Sequence, residues 1–344
     1  MSAREPVLEI AQLTVAFPAR RSLAQIARRE PKRQVLALDG VSLTLFDGET
    51  LGIVGESGSG KSTLAKAVVG LVRPNAGAIR FRGVDLAGER GHAGAERRRI
   101  QLIFQDPYSS LNPRLRVGEA IGEPARVHKL ADRGSVADAS ATLLQQVGLP
   151  ASIAQRRPRT LSGGQRQRVA IARALAARPD VLLADEAVSA LDVSVQAQIV
   201  NLLADLQCEL GLSIVFVSHQ LAVVEHLASR VAVMYLGRIV EIGATSEVFA
   251  NPAHPYTRAL LAAQPGRHRR GPRAKPALKG EIPSPLAIPS GCRFRTRCPL
   301  AQEICAEVDP REVAVSATHA AWCHFATASA VPAGGPVDKA AACR

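Results

Sequence analysis

Gly55-Glu56-Ser57-Gly58-Ser59-Gly60-Lys61-Ser62-Thr63 is the stretch from which the fold can be read. It has the spacing G-x-x-x-x-G-K-[ST], and it lies between an apolar run, Thr50–Val54, and a helical pattern, Lys61–Leu71. Glycines at these positions let successive backbone amides turn toward one anion. The amino end of the following helix adds positive potential at the same place. Lys61 would supply a point charge to the outer phosphates of a nucleotide, and the Ser62 hydroxyl a ligand for Mg²⁺. A Gly/Ser-rich turn formed by chance would lack the strand before it and the helix after it.

Further apolar runs, Gln101–Phe104, Val181–Ala184, Ser213–Val217 and Val231–Tyr235, have the length and flanks of buried strands. Helical patterns at Gly163–Ala177, Val193–Leu210 and Leu221–Ala228 fall between them. Alternating strands and helices imply an α/β core with a mostly parallel sheet covered on both faces. A strand-like stretch, Val7–Phe17, precedes a basic insertion from Ala19 to Gln34, with a short helix expected at Ser22–Arg29. From Asp106 to Thr160 strand signals are missing, and helices are expected around Val117–Val127 and Val136–Val147. Beyond Asn251 prolines recur, Arg267–Lys275 reads as a basic linker, and four cysteines follow. The expected organisation is therefore a core of residues 1–105 and 161–250, a helical subdomain at 106–160, a small C-terminal domain at 251–325 and a tail at 326–344.

Two more motifs carry chemistry. Val181-Leu182-Leu183-Ala184-Asp185-Glu186 is an apolar strand ending in two carboxylates. Neighbouring strand side chains point to opposite faces, so the two acids should differ in role: Asp185 holding Mg²⁺ and Glu186 polarising the attacking water. Ser162, Gly163, Gly164 and Gln165 open a helix and give a second anion-binding terminus. One nucleotide needs one phosphate loop, so a second terminus makes sense if it serves the nucleotide of a facing subunit.

Residues 7 to 325 resemble an ATP-binding-cassette (ABC) nucleotide-binding subunit, a RecA-like P-loop NTPase with a helical subdomain. The resemblance implies that Gln105 reaches Mg²⁺ and the membrane subunits, and that Asp192 belongs to the loop Ser189-Ala190-Leu191-Asp192 facing the partner cassette. His219 would contact the γ-phosphate, and Phe17 would stack on adenine. Three stretches point to the oligopeptide/dipeptide and nickel permease branch: Phe104 to Arg114, Ala190 to Gln198, and His254 to Leu261. Two positions depart from the pattern: Ala187 replaces a proline after Glu186, and Gln220 replaces an aspartate after His219. Neither removes a reacting group.

The resemblance implies ATP and Mg²⁺ as cofactors and hydrolysis coupled to peptide uptake. Its partners would be a second cassette (a paralogue or itself), two membrane-spanning permease subunits and an extracytoplasmic binding protein. An importer of nickel or another small solute is the alternative. No run of 18 apolar residues occurs and the amino end lacks a signal-peptide pattern, so the chain is expected at the cytoplasmic face of the membrane. A net charge of +13 would also suit a cassette acting on nucleic acid. The 55 residues from 106 to 160 are too few for the coiled-coil arm of such proteins, and no nucleic-acid partner is expected.

Cys292, Cys298, Cys305 and Cys323 are separated by five, six and seventeen residues. In a reducing compartment clustered thiolates point to metal rather than disulfides. The spacing lacks the C-x₂-C of zinc knuckles; it resembles the cysteine domain of peptide-permease ATPases, for which a [4Fe–4S] cluster is implied. Zinc in a Cys₄ site, or plain buried thiols, are the other readings. Cys208 and Cys343 look unrelated to this group.

Overall fold

The computed structural model describes residues 5–19, 34–86, 95–130, 136–264 and 280–327. The helix expected at Ser22–Arg29, the basic run Arg267–Lys275, nearly all of the tail and Cys343 lie outside the described residues.

The strands are β1 (Pro6–Pro18), β2 (Gln34–Phe46), β3 (Thr50–Val54), β4 (Ala76–Phe81), β5 (Val84–Asp85), β6 (Ile100–Ile103) and β7 (Val181–Asp185). They continue with β8 (Ser213–Val217), β9 (Arg230–Tyr235), β10 (Arg238–Ala244), β11 (Glu312–Ala314) and β12 (Ala320–Trp322). The helices of the first half are α1 (Lys61–Val68), α2 (Ala95–Arg98), α3 (Pro107–Ser110), α4 (Val117–Val127) and α5 (Val136–Gln146). After them come α6 (Gly163–Leu175), α7 (Val193–Leu210), α8 (Leu221–Leu227), α9 (Thr245–Ala250), α10 (Pro255–Ala262) and α11 (Ile304–Glu307).

The main sheet runs β11-β12-β10-β9-β3-β8-β7-β6. Its five strands β9, β3, β8, β7 and β6 are parallel to one another. Side-chain alternation divides these strands between two apolar layers. Leu182, Ala184, Ile214 and Phe216 join one core, which also holds the inner faces of α4, α6 and α7. Val181, Leu183, Val215 and Val217 join the other, with α1 and the second sheet. Both faces are thus covered, as the continuous apolar runs require.

That second sheet, order β2-β1-β4-β5, is antiparallel throughout. Sequence patterning indicated only β1. Register shifts interrupt its pairing with β2, and Gln12 takes φ +49 within it, so the period-2 signal is broken where it would be sought.

Residues 106–160 form α3, α4, α5 and two short 3₁₀ turns, with no strand among the described residues. The C-terminal region makes several contacts with the main sheet and its neighbours. β12 pairs with β10, Glu241 opposite Ala321. Phe294 packs on Tyr235 and Tyr256, with ring centroids 5.3 and 5.4 Å apart. Glu241, fully buried, accepts from the backbone N–H of Ala253 and His254 and pairs with His319 at 2.7 Å. A buried carboxylate needs such partners, because each unpaired oxygen carries its full desolvation cost. No helix among the described residues is long and apolar enough to cross a membrane.

Candidate functional site: a phosphate loop and two carboxylates

The loop between β3 and α1 is set by glycine. Gly55, Gly58 and Gly60 all take positive φ (153°, 79° and 106°), a region that side-chain-bearing residues rarely occupy. A Cβ on Gly55 would also overlap the carbonyl of Met234. Gly60 forms the N-cap of α1 with no side-chain cap, which leaves the helix amides open to a ligand. Lys61 folds back onto this loop, donating to the carbonyls of Gly55 (2.8 Å) and Glu56 (2.9 Å). Burial pulls its ammonium below the ordinary lysine range, against the opposing pull of Glu186, Asp185 and Glu56.

Ser62 donates its hydroxyl to Asp185 Oδ1 at 2.8 Å. Burial pushes the Asp185 carboxyl upward, opposed mainly by that hydrogen bond. The alternation expected for the two acids ends at Asp185: Glu186 takes φ +48 and donates its N–H to Val217 O at 3.0 Å. This left-handed turn, costly for a residue with a Cβ, brings Glu186 to the same cavity as Ser62. There Glu186 accepts from Gln105 Nε2 at 2.8 Å and lies 3.5 Å from His219 Nδ1. The two acids still differ in surroundings, one bonded to the loop serine and the other between the glutamine and the histidine.

The cavity, about 440 Å³, also takes in Ser57, Gly58 and Thr63, and Phe17, 39% exposed, lines it too. Ser162 to Gln165 do not line it. They open α6, where Ser162 Oγ accepts from Gln165 N–H and the Gln165 side chain accepts from Ser162 N–H, a reciprocal capping box. Gly163 and Gly164 abut Leu191 and Val195, which sets this terminus against the loop bearing Asp192, itself exposed at the N-cap of α7. Ala187 is buried, and Gln220 caps α8 without a side-chain hydrogen bond.

Two supports of the phosphate loop were not legible as such. Glu56 N–H donates to Tyr256 Oη at 2.8 Å, and the Glu56 carboxylate receives both Arg297 amino groups, at 2.6 and 2.9 Å. Tyr256 stands in the quoted His254–Leu261 stretch, but nothing local to the sequence assigns it that contact. Arg297 is 241 residues from its partner; its position beside Cys298 was the nearest available signal.

The four cysteines are free and half-buried to buried. Burial pushes the Cys292 thiol up to about 11, and Cys305, Cys323 and Cys298 add to the rise, which places the four as electrostatic neighbours. The backbone N–H of Phe325 donates to Cys323 Sγ at 3.5 Å. Among the described residues, no three His, Cys, Asp or Glu side chains are gathered to hold a metal ion.

A phosphate loop, a glutamine and a glutamate on one cavity, with an aspartate bonded to the loop serine, a histidine beside the glutamate and a second capped glycine terminus elsewhere, define an ATP-hydrolysing P-loop cassette. Residues 38–189 match the ABC transporter family, and residues 240–305 match the oligopeptide/dipeptide transporter C-terminal region. The chain is 49% identical over 311 residues to the oligopeptide transport ATP-binding protein OppF of Salmonella typhimurium, covering 89% of this chain and 92% of the relative. It is 45% identical over 326 residues to AppF, the oligopeptide transport ATP-binding protein of Bacillus subtilis, covering 94% and 98%. A solved ATP-binding cassette, dimeric in a post-hydrolysis state with ADP and Pi, superposes with TM-score 0.60 at 28% identity, covering 69% of this chain and 98% of that one. The chain belongs to the ATP-binding proteins of the ABC transporter family.

Proposed function

We propose that this chain is the ATP-hydrolysing subunit of an importer of di- or oligopeptides, working peripherally at the cytoplasmic face of the membrane. Its partners are a second cassette, two permease subunits and an extracytoplasmic binding protein. Lys61, Ser62, Gln105 and Glu186 on one cavity, with Asp185 bonded to Ser62 and His219 beside Glu186, carry the ATPase reading. The match over residues 240–305 carries the peptide reading. The division into core, helical and C-terminal parts given above is retained.

Residues Gly55 to Thr63 cradle the phosphates, and Lys61 leaves its loop carbonyls for the β/γ-phosphates. Ser62, Asp185 and Gln105 offer hard oxygen donors that suit Mg²⁺, which takes its remaining ligands from water and phosphate. The bound ion would neutralise charge on the phosphate oxygens. Glu186 positions and polarises the attacking water, His219 contacts the γ-phosphate, and Gln105 relates the site to the permease subunits. Ser162 to Gln165 and Asp192 face the nucleotide of the partner cassette.

The test is hydrolysis by the complex assembled with its permease subunits. ATP turnover should rise with a peptide-loaded binding protein; a response to nickel or another small solute, with none to peptides, would transfer the chain to the alternative.

For the cysteines we infer a [4Fe–4S] cluster. The four clustered thiols, with an amide donor on Cys323 Sγ, suit thiolate ligands. Anaerobically purified protein should be brown with about four irons per chain. Colourless protein with one zinc would replace the cluster by zinc.

A further inference from the structure

Beside the phosphate loop the cavity has an apolar lining: Phe17, Val35, Ala37 and Leu236, joined by Pro285 and Ile288. Phe17 and Val35 are cross-strand partners in the β1–β2 ladder. Pro285 and Ile288 come from the other end of the chain. They sit on and just after a turn in which Ala287 N–H donates to Ser284 O at 2.9 Å and Leu286 N–H to Ser284 Oγ at 3.2 Å. The chain that follows is anchored to the cassette. Arg293 bonds Asp39 and the Leu236 carbonyl, and Arg297 bonds Glu56 of the phosphate loop. Pro285 is exposed and Ile288 partly so, although both border the same cavity.

Phosphates gain nothing from an apolar wall, whereas a nucleobase has two flat faces to remove from water. We propose that Pro285 and Ile288 form a wall of the nucleobase pocket, so that the C-terminal segment supplies part of the affinity for the base of the nucleoside triphosphate held on Gly55–Thr63. This rests on reading that loop as the ATP site and adds a base-binding element beyond the cassette motifs. The wall offers area rather than hydrogen-bonding side chains, so it strengthens binding of any purine and discriminates weakly among them.

The test uses the full chain and compares ATP with inorganic tripolyphosphate, which has phosphates and no base. Ile288→Ser should weaken ATP about tenfold and leave tripolyphosphate unchanged, with Ile288→Val recovering most of the loss. Pro285→Gly, on an exposed turn that tolerates substitution, should give a smaller loss of the same selective kind and guards against a fold effect at position 288. Unchanged ATP affinity in both variants, or parallel loss of ATP and tripolyphosphate, overturns the wall and leaves the phosphate site standing. Failure of the unaltered chain to bind tripolyphosphate at all would overturn the loop reading and the wall with it.

Discussion

Two helices of this chain begin with glycines and present amides, and they are built differently. The start of α1 has no side-chain cap, carries Lys61, and stands beside Asp185 and Glu186. Its loop is braced from behind by Tyr256 and Arg297. The start of α6 caps itself through Ser162 and Gln165, has no acid or lysine in its first turn, and is braced by Leu191 and Val195. An open, charge-equipped terminus can hold a triphosphate unaided. A self-capped terminus, whose first-turn Arg166 is engaged by the Pro158 carbonyl and the Tyr108 ring, adds its share when a phosphate is delivered to it. On the proposed reading the chain carries halves of two nucleotide sites.

The largest effect expected within the first half-site is on turnover. Glu186→Gln keeps the shape and removes the charge that polarises water, so steady-state hydrolysis in the assembled complex should fall by about 10²–10⁴-fold. ATP binding should persist and the closed pair should accumulate. More than about a tenth of the original turnover would remove Glu186 from the chemistry.

Acid should attack the bracing behind α1 and spare α6. His254 is fully buried, and its Nδ1 accepts the Tyr256 N–H at 3.0 Å, starting the helix that carries the Tyr256 hydroxyl to Glu56. Desolvation pulls its pKa from 6.5 down to about 4, only partly offset by Glu241. The unfolded chain therefore takes up a proton at this residue before the folded one does. The associated stability is complete above pH 6.5 and is lost on the way down to pH 4, on the order of 3 kcal/mol. Denaturant melts across this range should show the loss, and His254→Asn, which retains a cap acceptor without a titrating ring, should flatten it. An unchanged pH profile in that variant would place the acid sensitivity elsewhere.

Arg297→Ala should cost about 2 kcal/mol by leaving Glu56 without its two-pronged partner. Because Glu56 belongs to the phosphate loop, ATP affinity should fall with stability, while Arg297→Lys restores only part of either. Lower stability with unaltered ATP affinity would separate the bracing from the site.

The first half-site was far more legible in the sequence than its bracing. Spacing alone exposed Gly55–Thr63, and runs of apolar residues exposed β3, β7 and β8, because both signals are local. The left-handed turn at Glu186 was hidden, since strand alternation is a rule about regular backbone and the turn breaks it. Arg297–Glu56 and β12 on β10 were hidden because they join positions distant in the chain, and sequence periodicity says nothing about which edge a short strand will choose. The second antiparallel sheet escaped for a related reason: its bulged strands blur the alternation by which strands are found.

The division between the two termini is tested most directly by ATP binding to the isolated chain in two variants. Lys61→Ala should lose ATP affinity. Ser162→Arg, which places a bulky cation on the terminus meant for a partner's nucleotide, should bind ATP as the unaltered chain does yet fail to form the closed dimer. Equal loss of ATP binding by the isolated chain in both variants would contradict the shared site and return both termini to a single nucleotide.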